Sequence, residues 1–165
     1  MKNRGFSLVE MVIVLVLISL SAALVAPSLS RFSKRVELKA TAQKISAILR
    51  YIRSESIQKG KVYQVLFDPD LREVRVQALG EDGKADGGQD QGEPVANKRS
   101  YSLPEGIQMK EVKIPFPEFP SDLPTIEFYP NGGSNGGSIL LDAQTQKGYR
   151  IKVNFLTGMV AIEEA

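Results

Sequence analysis

From Phe6 to Ala26 the chain runs 21 residues with a single charge, Glu10. As a helix this run is about 31 Å long, which matches a hydrocarbon core of about 30 Å. Lys2 and Arg4 precede it, and by the positive-inside rule they stay cytoplasmic while the rest of the chain lies outside. An acid at the centre of a membrane helix costs roughly 2.5–3.5 kcal/mol, and less near its end, so Glu10 needs a reason. The remainder of the 165 residues is enough for one domain, and 42% hydrophobic with 24% charged residues is ordinary for a chain with a packed core.

Three readings of the N-terminus compete. One is a secretory signal, with Ser21-Ala22-Ala23 as small residues for a cleavage site. Another is a plain membrane anchor. Neither accounts for Glu10. The third rests on Gly5-Phe6-Ser7-Leu8-Val9-Glu10 behind a basic leader, which resembles the type III signal of type IV pilins and pseudopilins. The resemblance implies that a prepilin peptidase cuts after Gly5 on the cytoplasmic side and methylates the new amine of Phe6. It also implies that Glu10 of one subunit compensates the Phe6 amine of a neighbour during assembly. Opposite charges 4 Å apart attract by about 4 kcal/mol at an effective dielectric near 20. Without a neighbour, Glu10 sits at headgroup depth and stays solvated.

Pro27 also fits that resemblance, and its missing N–H predicts a kink or local melting of the helix. Beyond it, Leu38, Ala42, Ile45, Leu49, Ile52 and Ser56 recur at steps of four and three, one face of an amphipathic helix. Gly60 is its stop signal. The opposite face carries Arg31, Lys34, Arg35, Lys39, Lys44, Arg50 and Arg53. It reads as a solvated face beside lipid headgroups, or as a complement to acidic surfaces of neighbouring subunits. Charge is divided along the chain. Residues 31–61 hold nine Lys/Arg against two acids, whereas residues 62–165 hold ten against sixteen. The acidic distal part argues against nucleic-acid binding there.

Past Gly60 the period becomes alternating. Strands are expected at Lys61–Phe67 and Leu71–Leu79 around an Asp68-Pro69-Asp70 turn, then at Tyr101–Leu103, Ile107–Ile114, Thr125–Tyr129, Ser138–Asp142, Tyr149–Phe155 and Met159–Glu163. Residues 80–93 are rich in glycine and acids and read as a loop. Pro115–Pro124 holds four prolines and reads as an extended linker or edge segment. The expected fold class is α+β, with a long N-terminal helix packed on a C-terminal domain of two antiparallel sheets. Its expected parts are a leader at 1–5, a membrane or filament-core helix at 6–30, an amphipathic helix at 31–60 and a β-rich domain at 61–165.

The stretch Phe128-Tyr129-Pro130-Asn131-Gly132-Gly133-Ser134-Asn135-Gly136-Gly137-Ser138-Ile139, followed by Ile151, Val153, Thr157-Gly158 and Val160, resembles the C-terminal pattern of the H-type pseudopilin family, which includes FimT-like minor pilins. The resemblance implies a minor subunit of the pseudopilus of a type II secretion system, near the filament tip. Its partners would be other major and minor pseudopilins, the prepilin peptidase, inner-membrane lipid and the secreted protein substrates. The protein would sit in the inner membrane with its distal domain in the periplasm. The alternative is a FimT-like minor pilin for DNA uptake or pilus assembly. There a Gly-Arg-x-Arg segment would contact phosphate, but here the residues read Gly158-Met159-Val160-Ala161, so no nucleic-acid partner is expected.

Other signals carry little. With no cysteine and no histidine, thiolate metal sites, cysteine nucleophiles and the usual general base are absent. Asp82, Asp86 and Asp90 hint at calcium, but their spacing is not that of an EF-hand, and a solvated loop is the simpler reading. The glycines of 131–137 lack phosphate-loop spacing and precede a strand, which makes them a turn. Pro115-Phe116-Pro117-Glu118-Phe119-Pro120 reads as a stiff connection with inward Phe side chains, in preference to an exposed docking surface. No serine has a base at a recognisable spacing. Neither an enzyme nor a cofactor or metal site is expected.

Overall fold

The computed structural model describes residues 7–80, 99–115, 117–119, 121–143 and 147–165, with backbone alone for 22–31. The chain divides into two compact units, Met1–Val36 and Glu37–Ala165. One helix, α1 (Leu8–Lys59), contributes to both. It stays helical across Pro27, so the expected melting at that residue does not occur. The parts expected at 6–30 and 31–60 are carried by this one element. Gly60 ends it at φ 63°, a left-handed conformation that costs glycine nothing, with Lys59 in the last turn favouring the helix dipole.

Within the second unit, every residue of the expected apolar helix face is buried: Leu38, Ala42, Ile45, Leu49, Ile52 and Ser56. The five apolar ones join a single core with Val65, Phe67, Ile126, Phe128, Ile139, Leu141 and Ile151. The strands are β1 (Tyr63–Asp68), β2 (Glu73–Ala78), β3 (Arg99–Ser102), β4 (Gln108–Lys113), β5 (Thr125–Phe128), β6 (Gly137–Asp142), β7 (Tyr149–Val153) and β8 (Val160–Glu164). Each coincides with an expected strand to within two residues at either end. Among the described residues they form two antiparallel four-stranded sheets, ordered β3-β2-β1-β5 and β4-β6-β7-β8.

The β1–β2 turn is closed by Asp68. Its Oδ1 accepts from the Leu71 amide at 2.9 Å and its Oδ2 from Arg75 at 2.7 Å. These bonds hold the Asp68 carboxyl below its ordinary pKa, the Leu71 amide being the larger cause. β5 is a sheet edge, and Asn135 covers it in the manner of a strand. Its Oδ1 accepts from the Glu127 amide at 2.8 Å and its Nδ2 donates to the Thr125 carbonyl at 2.9 Å. Both backbone groups are thereby withdrawn from pairing with another chain.

Candidate functional site

Gly5 and Phe6 lie outside the described residues, as do Asp82, Asp86, Asp90 and Phe116. Glu10 is described. It stands exposed in the first turn of α1, where a negative charge complements the helix dipole. Around it Leu8, Val9, Met11, Val12, Ile13, Val14 and Leu15 are 42–79% exposed, and the apolar surface continues on every side through Leu20. A helix apolar all round belongs in lipid or inside an assembly. Its two hydroxyls suit such a medium, because Ser19 donates to the Leu15 carbonyl and Ser21 to the Leu17 carbonyl, both at 2.8 Å. Among the described residues no helix is long and apolar enough to cross a membrane. The expected span, Phe6–Ala26, begins before the described residues, and its last five positions are described by backbone alone.

The basic face of α1 is not simply solvated. Arg53 Nε donates to the Thr157 carbonyl at 2.8 Å and to the Gly132 carbonyl at 3.1 Å. Arg50 donates to the Val160 carbonyl at 3.0 Å, and Ser56 to the Tyr129 carbonyl at 3.0 Å. The helix thus clamps the β5–β6 turn and the β7–β8 turn together. Gly158 makes this approach possible: a Cβ there would lie 2.6 Å from the Gly132 carbonyl oxygen and 2.9 Å from Arg53 Nε, and its φ is 61°. Sequence reasoning assigned these arginines to solvent or to other subunits. It missed them because their partners lie 79 to 110 positions away.

A polar row, fully buried at Gln64 and Glu127, crosses the first sheet. Gln77, Gln64 and Glu127 face one another on β2, β1 and β5. Gln77 donates to Gln64 Oε1 at 2.7 Å, and Gln64 donates to Glu127 Oε1 at 3.0 Å. Glu127 is fully buried and also accepts from the amides of Glu118 (2.8 Å) and Phe119 (3.0 Å) and from the Tyr129 hydroxyl (3.0 Å). Burial first, and the bond to Glu127 second, push the Tyr129 pKa well above its ordinary value. The segment Pro115–Pro124, expected as an extended linker or edge segment, is anchored at its described middle. Its Glu118–Phe119 portion is a strap fastened over the polar row by Glu127, with Phe119 half-buried.

A cavity of about 240 Å³ lies between Lys44, Ile45 and Ile48 of α1 and Tyr101, Leu103 and Pro104. Lys44 Nζ sits 5.8 Å from the centre of the Tyr101 ring, and the Thr41 hydroxyl is spent on the Glu37 carbonyl. This lining contains no nucleophile paired with a base. Among the described residues no group of three or more acids is placed to hold a metal ion.

The β7–β8 turn, where the DNA-capture alternative requires arginines, presents Met159 to solvent, and Glu163 is engaged by Lys152 at 2.6 Å. The sequence of this domain decides the family. Residues 41–157 match the family described as "Type II transport protein GspH". The chain belongs to this GspH family. Residues 1–26 additionally match the prokaryotic N-terminal methylation motif, a span that includes Gly5, Phe6 and Glu10. A curated relative, type II secretion system protein H of Xanthomonas campestris pv. campestris, is 29% identical over 157 residues, covering 95% of this chain and 81% of that protein.

Solved structures share the GspH-family fold at lower identity. The minor pseudopilin EpsH from the type 2 secretion system of Vibrio cholerae superimposes with a TM-score of 0.57 at 19% identity, covering 78% of this chain and 97% of that one. The type IV minor pilin FimU of Pseudomonas aeruginosa gives 0.54 at 17% identity, covering 80% and 92%. At this identity both likenesses speak for the fold alone.

Proposed function

We propose that this GspH-family chain is a minor pseudopilin of a type II secretion system, cut after Gly5, methylated on the Phe6 amine and inserted in the inner membrane with its β-rich domain in the periplasm. From there it joins a short filament near the tip, beside major and minor pseudopilins, and assists export of folded protein substrates. The observation that carries this reading is the first helical stretch: apolar on every side, exposed in the isolated chain, and interrupted by one acid five residues after the glycine. Other subunits supply what this stretch lacks. Glu10 supplies the countercharge for a neighbour's amine when that amine moves into a low-dielectric core. The role is structural, and the chain's residues do no bond-making chemistry.

The test is processing. Gly5→Trp in the full chain, co-expressed with a prepilin peptidase, is expected to retain the leader by intact mass, whereas the native chain is shortened and carries one methyl group. A Gly5 variant that still reaches the mature mass overturns the reading. The pilus alternative draws on the likeness to FimU, and a gel shift with double-stranded DNA at physiological salt separates the two. No binding is expected, because the β7–β8 turn itself carries no arginine, its residues reading Gly158-Met159-Val160-Ala161.

A further inference from the structure

The β7–β8 turn carries three large apolar side chains in the open. Phe155 is 62%, Leu156 72% and Met159 67% exposed. Exposure of this kind is ordinary on a mobile loop, but this turn is fastened at every residue. Asn154 Oδ1 accepts from the amides of Leu156 and Thr157, both at 3.0 Å, and from the Thr157 hydroxyl at 3.2 Å. The Gly158 amide donates to the Asn154 carbonyl at 2.8 Å, and the Ser134 amide to the Phe155 carbonyl at 3.0 Å. Arg53 holds Thr157 from α1. The backbone is therefore preorganised, and seating its side chains against a partner costs little conformational entropy.

Arg50 lies at the rim. Its guanidinium is held on the Val160 carbonyl, next to Met159, and has no carboxylate partner among the described residues. The three side chains offer on the order of 400 Å², about half of the roughly 800 Å² per partner that a self-sufficient interface buries. A patch this small does not hold a soluble dimer of this chain. It serves a subunit already held nearby by other contacts, for which the second contact benefits from a high effective concentration.

We propose that the Phe155-Leu156-Met159 tip is an anchor that inserts into an apolar pocket, bearing a carboxylate at its rim, on the globular domain of a different pseudopilin in the same assembly. This rests on the reading of the chain as a pseudopilin subunit. Aromatic and Met anchors beside an Arg are the composition of an interface centre.

A photo-crosslinking residue placed at position 156 of the full chain, in cells producing the other pseudopilins of its system, tests the inference. Position 14 on α1 reports assembly as such, and position 71, an exposed leucine in the β1–β2 turn, is the background control. Crosslinking at 156 to another pseudopilin is expected, at a yield well above that at 71. The yield should fall about tenfold with Phe155→Ser plus Met159→Ser and about fivefold with Arg50→Glu. Crosslinking at 14 but not at 156, capture at 156 of lipid or only of a second copy of this chain, or a yield indifferent to these substitutions overturns the anchor. Crosslinking to pseudopilins at neither 14 nor 156 overturns the subunit reading and the anchor with it.

Discussion

α1 contains two stretches that obey different rules. Leu8–Leu20 is apolar on every side and exposed, whereas Leu38–Ser56 is apolar on one side and that side is wholly buried. Both are regular helix in one continuous element. They differ in where the partner comes from. The second stretch finds its partners in the same chain, in the β-sheet core and in the carbonyls that take Arg50, Arg53 and Ser56. The first finds none among its own described side chains, so its stability as a buried helix is a property of lipid or of an assembly. Secondary structure alone does not reveal which kind of helix is present. The angular width of the apolar surface does.

The sharpest way to break this contrast is to truncate one leucine in each stretch. Leu49→Ala should cost about 2–5 kcal/mol of domain stability, the range for emptying a fully buried leucine site, in urea unfolding of the full chain in detergent. Leu15→Ala should leave that transition in place. Equal shifts for both would refute the division.

A smaller loss tests the strap. Glu127→Ala leaves the Tyr129 hydroxyl and two strap amides without their acceptor and the Gln64 amide with only the Phe119 carbonyl at 3.4 Å, which should cost about 2–3 kcal/mol and speed hydrogen exchange at Glu118 and Phe119. Unchanged exchange at those amides would show that something other than Glu127 fastens the strap. Arg53→Met comes next. It keeps much of the apolar stem but leaves the Gly132 and Thr157 carbonyls unpaired, for an expected loss of about 1–2 kcal/mol in the same unfolding measurement.

Acid titration should have a milder effect. The pKa of Asp68 is lowered chiefly by the Leu71 amide, and that of Glu111 chiefly by Lys113 with help from Arg150. Folded-state values below the unfolded ones mean that this stability is fully present above the ordinary carboxylate range. It is lost as pH falls from there through the lowered values. The unfolding midpoint should be flat from pH 7 to about pH 5 and decline below it. A midpoint that rises on acidification contradicts those two sites.

The smallest effect on folding belongs to Glu10→Ala, which should leave the unfolding transition where it was and still permit cleavage after Gly5. Its consequence should appear in assembly alone, as poor co-purification with other pseudopilins. Native co-purification would make Glu10 a solvated acid with no countercharge role.

The positions of the helix and of all eight strands were legible in the sequence because period and turn chemistry act over a few residues. Leu38 to Ser56 step by four and three, Val74, Val76 and Ala78 alternate, and Gly60 and Asp68-Pro69-Asp70 punctuate. Gln64 and Glu127 were not legible as buried groups. Each is a polar residue in a strand, which reads as solvent-facing until the strap from 118–119 is laid over it. Arg50 and Arg53 failed in the same way: their spacing marks a helix face but says nothing of what that face meets.

Local periodicity and the Gly5–Glu10 pattern, then, determined the α+β class, the amphipathic face, the strand positions and the kinship with pseudopilins. Tertiary structure alone decided the orders β3-β2-β1-β5 and β4-β6-β7-β8, the covering of the β5 edge by Asn135, the burial of Glu127 and the clamp of Arg53 on two turns. The physical reason is range. A residue's φ and ψ preferences and its side-chain period are set by its immediate neighbours. Whether a carboxylate is hydrated or holds four donors depends on closure of the chain, which brings three of the four donors of Glu127 from 8 to 63 residues away.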